Sequence, residues 1–572
     1  MKKIILSLMA GMVLFTSCDL LNNDPYDSFT KDNYFTSETN VEMYANYFYA
    51  EWTGYANNSG DFYFQFLNDN QANTGIQPWD FKQPTPSNGT WDTCYQEIRR
   101  ANILLENIGK VDMPATSMDY YVSLARLYRG WQHFCLVRKF GDCYWVDKEL
   151  TTEDATILYG KRHPRNEVMD KVLDDLNYAV EHMGDKNADS RTAYNVHVAN
   201  AIKSQVCLFE GTYAKYHQKD NDRAEKYLEA SRVASKAIID NKMFALTPGA
   251  KGYRANYNSL DLAGNTEMIM YKTYIKNIVG HGTIAYNASS TTTKGINKDA
   301  FNAYLMKTGA LPTGEDKGEL GVDGKPSIEK LLELRDPRLA EHIDGYLTYQ
   351  GNDRIRYEDI PGQENGMPNT STTGYGCLKF DNPNIPCDDR KTIGQNETDA
   401  PIFWLAEILL NHAEACAELG GEHESSAINS LNELRSRVGM PPYENRHDPL
   451  NVANPDYGIV AVSNLIWEVR RERRIELMFD KNDRYWSLIR WHELGRLDTK
   501  AYPNQTKGAW IDDSWPHHAE LGRDAEGYID LTINRNEPES PYSREYNVKH
   551  YLAPIPTGQI ALNPEIGQNP GW

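Results

Sequence analysis

Long apolar runs are scarce in this chain, and the most apolar one, Ile4 to Phe15, is only about a dozen residues long. A bilayer span needs about 20, so nothing here reads as a transmembrane helix. Basic charge is also short. Sixty Lys and Arg stand against 80 Asp and Glu, a formal charge of -20, which repels nucleic acid and anionic head groups. The densest basic run, Arg470-Arg471-Glu472-Arg473-Arg474, is broken by an acid and lies on a helical pattern. Cysteines number eight and contain no C-x-x-C pair, which leaves no zinc or dithiol signature. The catalytic spacings H-E-x-x-H, G-x-S-x-G and G-x-G-x-x-G are missing, and Gly321-Val-Asp-Gly324-Lys325-Pro326 puts proline where a phosphate-binding loop needs Ser or Thr. A glycoside hydrolase needs only two carboxylates; with 80 acids, spacing does not exclude one.

What is present begins with the leader. Lys2 and Lys3 precede the apolar stretch, and Phe15-Thr16-Ser17-Cys18 closes it with small residues and a thiol. That is the anatomy of a secretory signal, and its end resembles a bacterial lipobox, with Phe15 where Leu, Val or Ile is usual. An acylated Cys18 would become the first residue of a mature chain of charge -22, anchored rather than spanning. An ordinary signal peptide that happens to be followed by Cys18 is the alternative. Removing Cys18 leaves seven cysteines, so one thiol at least is unpaired. Cys377 and Cys387 flank the turn-rich run Lys379 to Pro386; they either close that loop in an oxidising compartment or stay free.

A chain of 572 residues with 40% hydrophobic content buries a large core, and its length allows three or four domains. Helical periodicity dominates and comes in pairs. Val198, Ile202, Val206, Phe209, Tyr213 and Tyr216 recur three and four apart, and Ala224, Tyr227, Ala230, Ala234 and Ile238 form a second stripe after a short turn. A similar pair is predicted at about 401 to 438, from Phe403, Ala406, Leu409, Ala413 and Cys416, then Ile428, Leu431, Leu434 and Val438, stopped by Gly439 and Pro441-Pro442. Further amphipathic runs fall near 37–52, 91–108, 117–138, 165–183 and 461–479. The expected fold class is mostly α, with about four tetratricopeptide-like hairpins and a large loop-rich region; an irregular helical bundle is the alternative, because no strict repeat period survives. The expected partition is a leader over 1–17, lipidated Cys and tether over 18–35, helical hairpins over 36–240, loops over 241–400, hairpins over 401–500 and a loop segment over 501–572.

Four separated segments share one resemblance. Trp91-x3-Tyr95-x2-Ile98-x2-Ala101-Asn102-x-Leu104, the helix Arg126 to Leu136 leading into Phe140-Gly141-Asp142, the helix Glu468 to Phe479, and Leu552-Ala553-Pro554-Ile555-Pro556 with Asn563-Pro564 and Gln568 to Trp572 resemble the SusD/RagB nutrient-binding outer-membrane lipoproteins. Phe479-Asp480-Lys481-Asn482-Asp483-Arg484 departs from the usual Phe-Glu-Gly-x-Arg by one added residue and a lost glycine, and Ser487 stands where Asp is usual. In the Glu468–Glu476 helix, acids and arginines three and four apart suggest pairing of Glu472 on its own helix, with a structural role. The resemblance implies a non-catalytic surface lipoprotein that captures glycan, or peptide in some members, for a SusC-like TonB-dependent transporter. It implies no cofactor; calcium bridging acidic loops such as Asp381-Asn382-Pro383-Asn384 is the one metal role left open, beside an ordinary turn.

A neutral sugar offers C–H faces and hydroxyls, so its site wants flat aromatics beside Asn, Asp, Gln or Arg. The loop at about 61–90, ahead of the Trp91 helix, combines these. Trp79 is the first candidate, with Asn73, Asp80 and Phe81 beside it; Tyr286, Asn287 and Tyr304, then Tyr346 and Tyr349, are the candidates from the 241–400 region. A surface glycoside hydrolase remains the catalytic alternative.

Overall fold

The computed structural model describes residues 34–572 apart from 58–59, 64–66, 74–78, 289–293, 322–323, 349–355, 358, 365–369, 516–517, 519–520 and 534–542. Cys18, the tether up to residue 33 and Tyr349 lie outside the described residues.

Two helical runs form the scaffold. The first comprises α1 (Gly89–Asn107), α2 (Ala115–Phe140), α3 (Arg165–His182), α4 (Val196–Tyr213) and α5 (Asn221–Ile239); the second comprises α6 (Leu405–Leu419), α7 (Glu424–Arg437), α8 (Asn464–Glu476) and α9 (Asp483–Arg490). Each start has a local cause. Asn88 accepts from the backbone of Thr90 and Trp91, Asn195 from that of His197 and Val198, and Asp220 from that of Arg223, so orphan amides of the first turn are satisfied by side chains. Pro114 and Pro164 stand immediately before α2 and α3.

Consecutive helices pack against one another from α1 to α5, α6 packs on α7, and α5 packs on α6. The two runs are therefore contiguous in space although about 160 residues separate them. The small residues expected on α5 are matched on α4 by Gly211. A methyl group there would meet the Cγ of Leu228 at 2.8 Å and its backbone nitrogen at 2.9 Å, which makes this the tight point of the α4/α5 pair. One hydrophobic core runs from Phe35 through both helical runs to Ile566.

The helix expected to begin at about 401 instead begins at Leu405. Residues Ala400–Trp404 form a buried strand antiparallel to Met268–Lys272, so Phe403 belongs to the strand. Its Ile, Phe and Trp favour a pleated buried surface, and the Pro401 ring removes a helix donor.

Between 241 and 400 the described residues make only short elements, among them Gly249–Asn258, Lys294–Ile296 and Ile343–Leu347. Ion pairs tie this region to the helices. Lys379, fully buried, donates to both oxygens of Asp480 at 2.8 and 2.9 Å and to the Met478 carbonyl. Arg338 reaches Asp336, Glu472 and Glu476. Glu472 thus pairs with Arg338 and Arg435 on other elements, not with its own helix as expected; the pair within α8 is Glu468 with Arg471. The acidic turn at 381–384 is likewise committed, because the Asp381 carboxylate accepts from Arg356 and Arg390. Cys377 and Cys387 are both buried free thiols, so the loop they flank is closed by these ion pairs and not by a bridge.

Candidate functional site

The strongest cavity for a sugar lies where four segments meet. They are the loop ahead of α1 (Trp79, Asp80, Phe81), the end of α2 (Arg138, Lys139), the start of α9 (Asn482, Tyr485, Trp486) and the C-terminal segment (His550 to Ala553, and Trp572). The opening measures about 320 Å³, within the range of single small-molecule sites.

Backbone hydrogen bonds clasp the C-terminal segment to the rest. The Ala553 amide donates to the Lys139 carbonyl, Thr557 and Gly558 donate to Thr85 and Pro86, and the Asn569 side chain donates to the carbonyls of Phe140 and Ala553. The aromatic wall is fixed in the same way. Trp79 Nε1 donates to the Glu545 carbonyl at 2.7 Å, and the ring stacks on His550 at 4.3 Å and 10°. Trp572 Nε1 donates to the carbonyls of Lys549 and Leu552, and Phe81 meets its ring edge-on at 6.3 Å. Tyr485 and Trp486 stand edge to face at 5.1 Å, with the Arg138 guanidinium 4.4 Å from the Trp486 centroid. All of these rings are half-buried.

The polar groups in the wall are underused. Neither the Tyr485 hydroxyl nor the Trp486 Nε1 has a protein partner among the described residues, and the Asn482 Oδ1 is buried without one. Desolvation pushes the Asp80 carboxyl up, opposed by Lys139, and lowers the Lys139 ammonium, opposed by Asp80. Burial, with Lys549 beside it, brings His550 down to about 4, so its ring is neutral where it stacks. Half-exposed rings with free donors and acceptors between them fit an uncharged polyhydroxyl ligand.

Asn482 belongs to the turn that departs from the family pattern. Phe479, Lys481 and Asn482 all take left-handed φ, +73°, +47° and +57°. The turn is held by a bridge from Asp480 to Phe62, a hydrogen bond from the Tyr63 amide to the Phe479 carbonyl, and an ion pair from Lys481 to Glu407.

Residues 255–572 match the model of the SusD family, and residues 21–208 match a second model described as starch-binding associating with outer membrane. The chain belongs to the SusD family. SusD-like protein P2 of Formosa agariphila is 24% identical over 494 residues, covering 84% of this chain and 80% of its own. A SusD-like protein of Bacteroides ovatus is 20% identical over 605 residues, covering 100% and 98%. Among solved structures, a SusD-like carbohydrate binding protein from Bacteroides fragilis superposes with a TM-score of 0.68 at 19% identity, covering 93% of this chain and all of that one; a laminarin-binding SusD-like protein gives 0.55 at 17%, covering 94% and 100%. At these identities the structural likeness speaks for the fold.

In this SusD-family chain the sequence candidates separate into two groups. Trp79, Asp80 and Phe81 come together in the cavity. Asn73 does not line it; it ends the strand Gln71–Asn73, antiparallel to Lys294–Ile296. Tyr286 and Asn287 sit on the short helix Thr283–Ala288, again away from the cavity, and Asn287 is buried. Tyr304 is fully buried, its hydroxyl 2.5 Å from His342 Nδ1, with Tyr253 on the other ring nitrogen; it is a core residue and presents no surface to a ligand. Tyr346 lies on the strand Ile343–Leu347. The sequence reading missed Lys139, Asn482, Tyr485, Trp486 and Trp572. The adjacent pair Tyr485-Trp486, directly after the altered turn, was the available signal.

Proposed function

We propose that this protein captures oligosaccharide or polysaccharide at the outer-membrane surface, held there by acylated Cys18, and delivers it to a SusC-like TonB-dependent transporter. The cavity carries the glycan part of the reading: half-exposed rings of Trp79, Tyr485, Trp486 and Trp572 stand beside a Tyr485 hydroxyl and a Trp486 Nε1 with no partner among the described residues. The description of the matching family model, and the carbohydrate-binding and laminarin-binding relatives, support the same ligand class and membrane. Asp80 is the one carboxylate among the lining residues, and hydrolysis by paired acids needs two, so the cavity favours binding without cleavage. The array of paired helices offers the face for the transporter.

A polysaccharide screen by affinity gel retardation tests this, with reducing ends assayed in parallel. Capture without cleavage, weakened in Trp79→Ala by about fivefold or more, as loss of a stacking ring of about 1–3 kcal/mol requires, is the expected result. Silence across polysaccharides with retention of a peptide pool would move the reading to the peptide class, and new reducing ends would make the protein a hydrolase.

A further inference from the structure

A second cavity, about 280 Å³, opens on the opposite flank of α9 and shares no lining residue with the first. Its character is different. Five arginines line it, Arg470, Arg471, Arg474, Arg484 and Arg496, against three carboxylates, Asp69, Asp299 and Glu493. Two of the three acids are each shared by a pair of guanidiniums. Asp69 receives both Arg484 donors at 2.6 and 2.7 Å and stands 3.8 Å from Arg474; Glu493 receives Arg470 at 2.6 Å and Arg496 at 2.5 Å. Further acids, Glu418, Glu468 and Asp448, sit behind the wall on Arg470 and Arg471.

Donors nevertheless remain. Arg496 gives only its Nε to a protein acceptor among the described residues, while its guanidinium lies 5.2 Å from the Trp467 ring and 5.9 Å from that of Tyr502. The Trp467 Nε1 and the Arg470 Nε also have no partner among the described residues, but both are closed off from the cavity, and Arg470 as a whole is 4% exposed; the open donors are the two Nη groups of Arg496. Burial, reinforced by Arg435, Arg474 and Arg446, brings Arg471 down to about 9, while Glu493 and Glu418 hold Arg470, and Asp69 and Asp299 hold Arg474, above the usual guanidinium range. At the mouth, Leu450 and Val452 are 61% and 55% exposed and give apolar area beside the Trp467 and Tyr502 rings.

We propose that this cavity is a second sugar subsite that takes an anionic residue, the carboxylate of a uronate or a sulfate ester, with the anion on the open Nη groups of Arg496 and the sugar ring against Trp467 and Leu450. Guanidinium matches planar or tetrahedral oxyanions with paired donors, and the volume suits one ring and not a chain. The inference rests on the glycan-capture reading for its biological ligand, and assigns it an acidic component.

The test uses the full chain with sodium glucuronate, glucose 6-sulfate, glucose and sodium chloride at matched ionic strength, followed by tryptophan fluorescence and calorimetry. Saturable binding of an anionic sugar is expected where glucose and chloride give none; whichever of the two binds names the source of the anion. Arg496→Gln should weaken it at least tenfold. Trp467→Phe, which trims the indole to a smaller aromatic ring, should weaken it several-fold and guards against a folding defect in the arginine variant. Responses equal to those of glucose or chloride, or untouched by both substitutions, overturn the proposal. If neutral polysaccharides are captured while both anions are ignored, the subsite fails and the capture reading stands; anion binding with no polysaccharide captured gives the reverse.

Discussion

Asn482 carries two burdens at once, a left-handed φ of +57° and a buried Oδ1 with no partner. Glycine takes that conformation without a side-chain clash and brings no acceptor to satisfy. Asn482→Gly should therefore raise stability by about 0.5–1 kcal/mol, allowing for the extra freedom glycine gains in the unfolded chain, and should leave glycan capture unchanged, because the Oδ1 it removes is closed off from the cavity. Urea unfolding and gel retardation on the same preparation check both. A variant that is less stable refutes the strain assigned to this residue, and one that captures glycan less well shows its Oδ1 to be open to the ligand. The same residue shows how far the site was legible. Trp79, Asp80 and Phe81 stand out because aromatic and polar residues cluster on one loop ahead of a helix. Their partners Tyr485, Trp486 and Trp572 lie more than 400 residues further along, and only tertiary packing brings them to the same wall. Tyr304 misled for a complementary reason: a tyrosine in a polar stretch looks available, but His342, itself held on its other nitrogen by Tyr253, draws its hydroxyl into the core.

Among the elements, helices were the legible part. Stripes at three- and four-residue spacing gave α4, α5 and α7 closely, since burial of one face is written in the spacing itself. The strand Ala400–Trp404 was not, because a short apolar run reads equally as the first turn of a helix until a partner strand is known. The α4/α5 pair supports a prediction that sets two magnitudes against each other. Replacing Gly211 by alanine improves helix propensity by about 1 kcal/mol. The added methyl, however, meets the Leu228 backbone nitrogen at 2.9 Å, an atom that moves only if the helices part, and overpacking costs about 1–3 kcal/mol. The clash should win, and Gly211→Ala should lower the melting temperature. Gly109→Ala is the matched control, since nothing lies within 4 Å of its added carbon, and it should be neutral or slightly stabilising. Equal behaviour of the two variants would show that the helices do not approach as closely as described.

Across the whole molecule, several histidines are locked in the neutral form. Burial brings His133 and His281 down to about 3 and His412 to about 4, and pushes His342 well below its usual range, with Lys379 and Arg338 adding to the effect. The hydrogen bonds agree with neutral rings. His133 Nδ1 lies 2.9 Å from the Arg129 carbonyl while its Nε2 accepts from the Val146 amide, and His281 likewise spans the Thr398 carbonyl and the Thr283 amide. The unfolded chain takes up protons on these groups near pH 6.5, the folded chain only some three units lower, so stability is complete above about 6.5 and falls as the pH drops below it. Each fully buried histidine contributes a slope of about 1.4 kcal/mol per pH unit. Asp399 and Asp480, both raised to about 6 by burial, act in the opposite sense over the same window, because the folded chain protonates them first; burial raises Glu51, Asp61, Asp80, Glu433 and Glu468 likewise, and lowers His197, His217, His492 and His550 besides the four rings above. The histidines outnumber them and shift further, so the net effect is destabilisation by acid. Urea midpoints measured from pH 7.5 to 5 should fall steadily below 6.5, and His281→Gln should flatten the profile by about one proton's worth of slope even if it lowers stability at pH 7.5. A midpoint that holds level between pH 7.5 and 5.5 would mean that these rings are not confined to the neutral form, and that the core around His342, into which Tyr253 and Tyr304 are tied, is more open to water than its packing indicates.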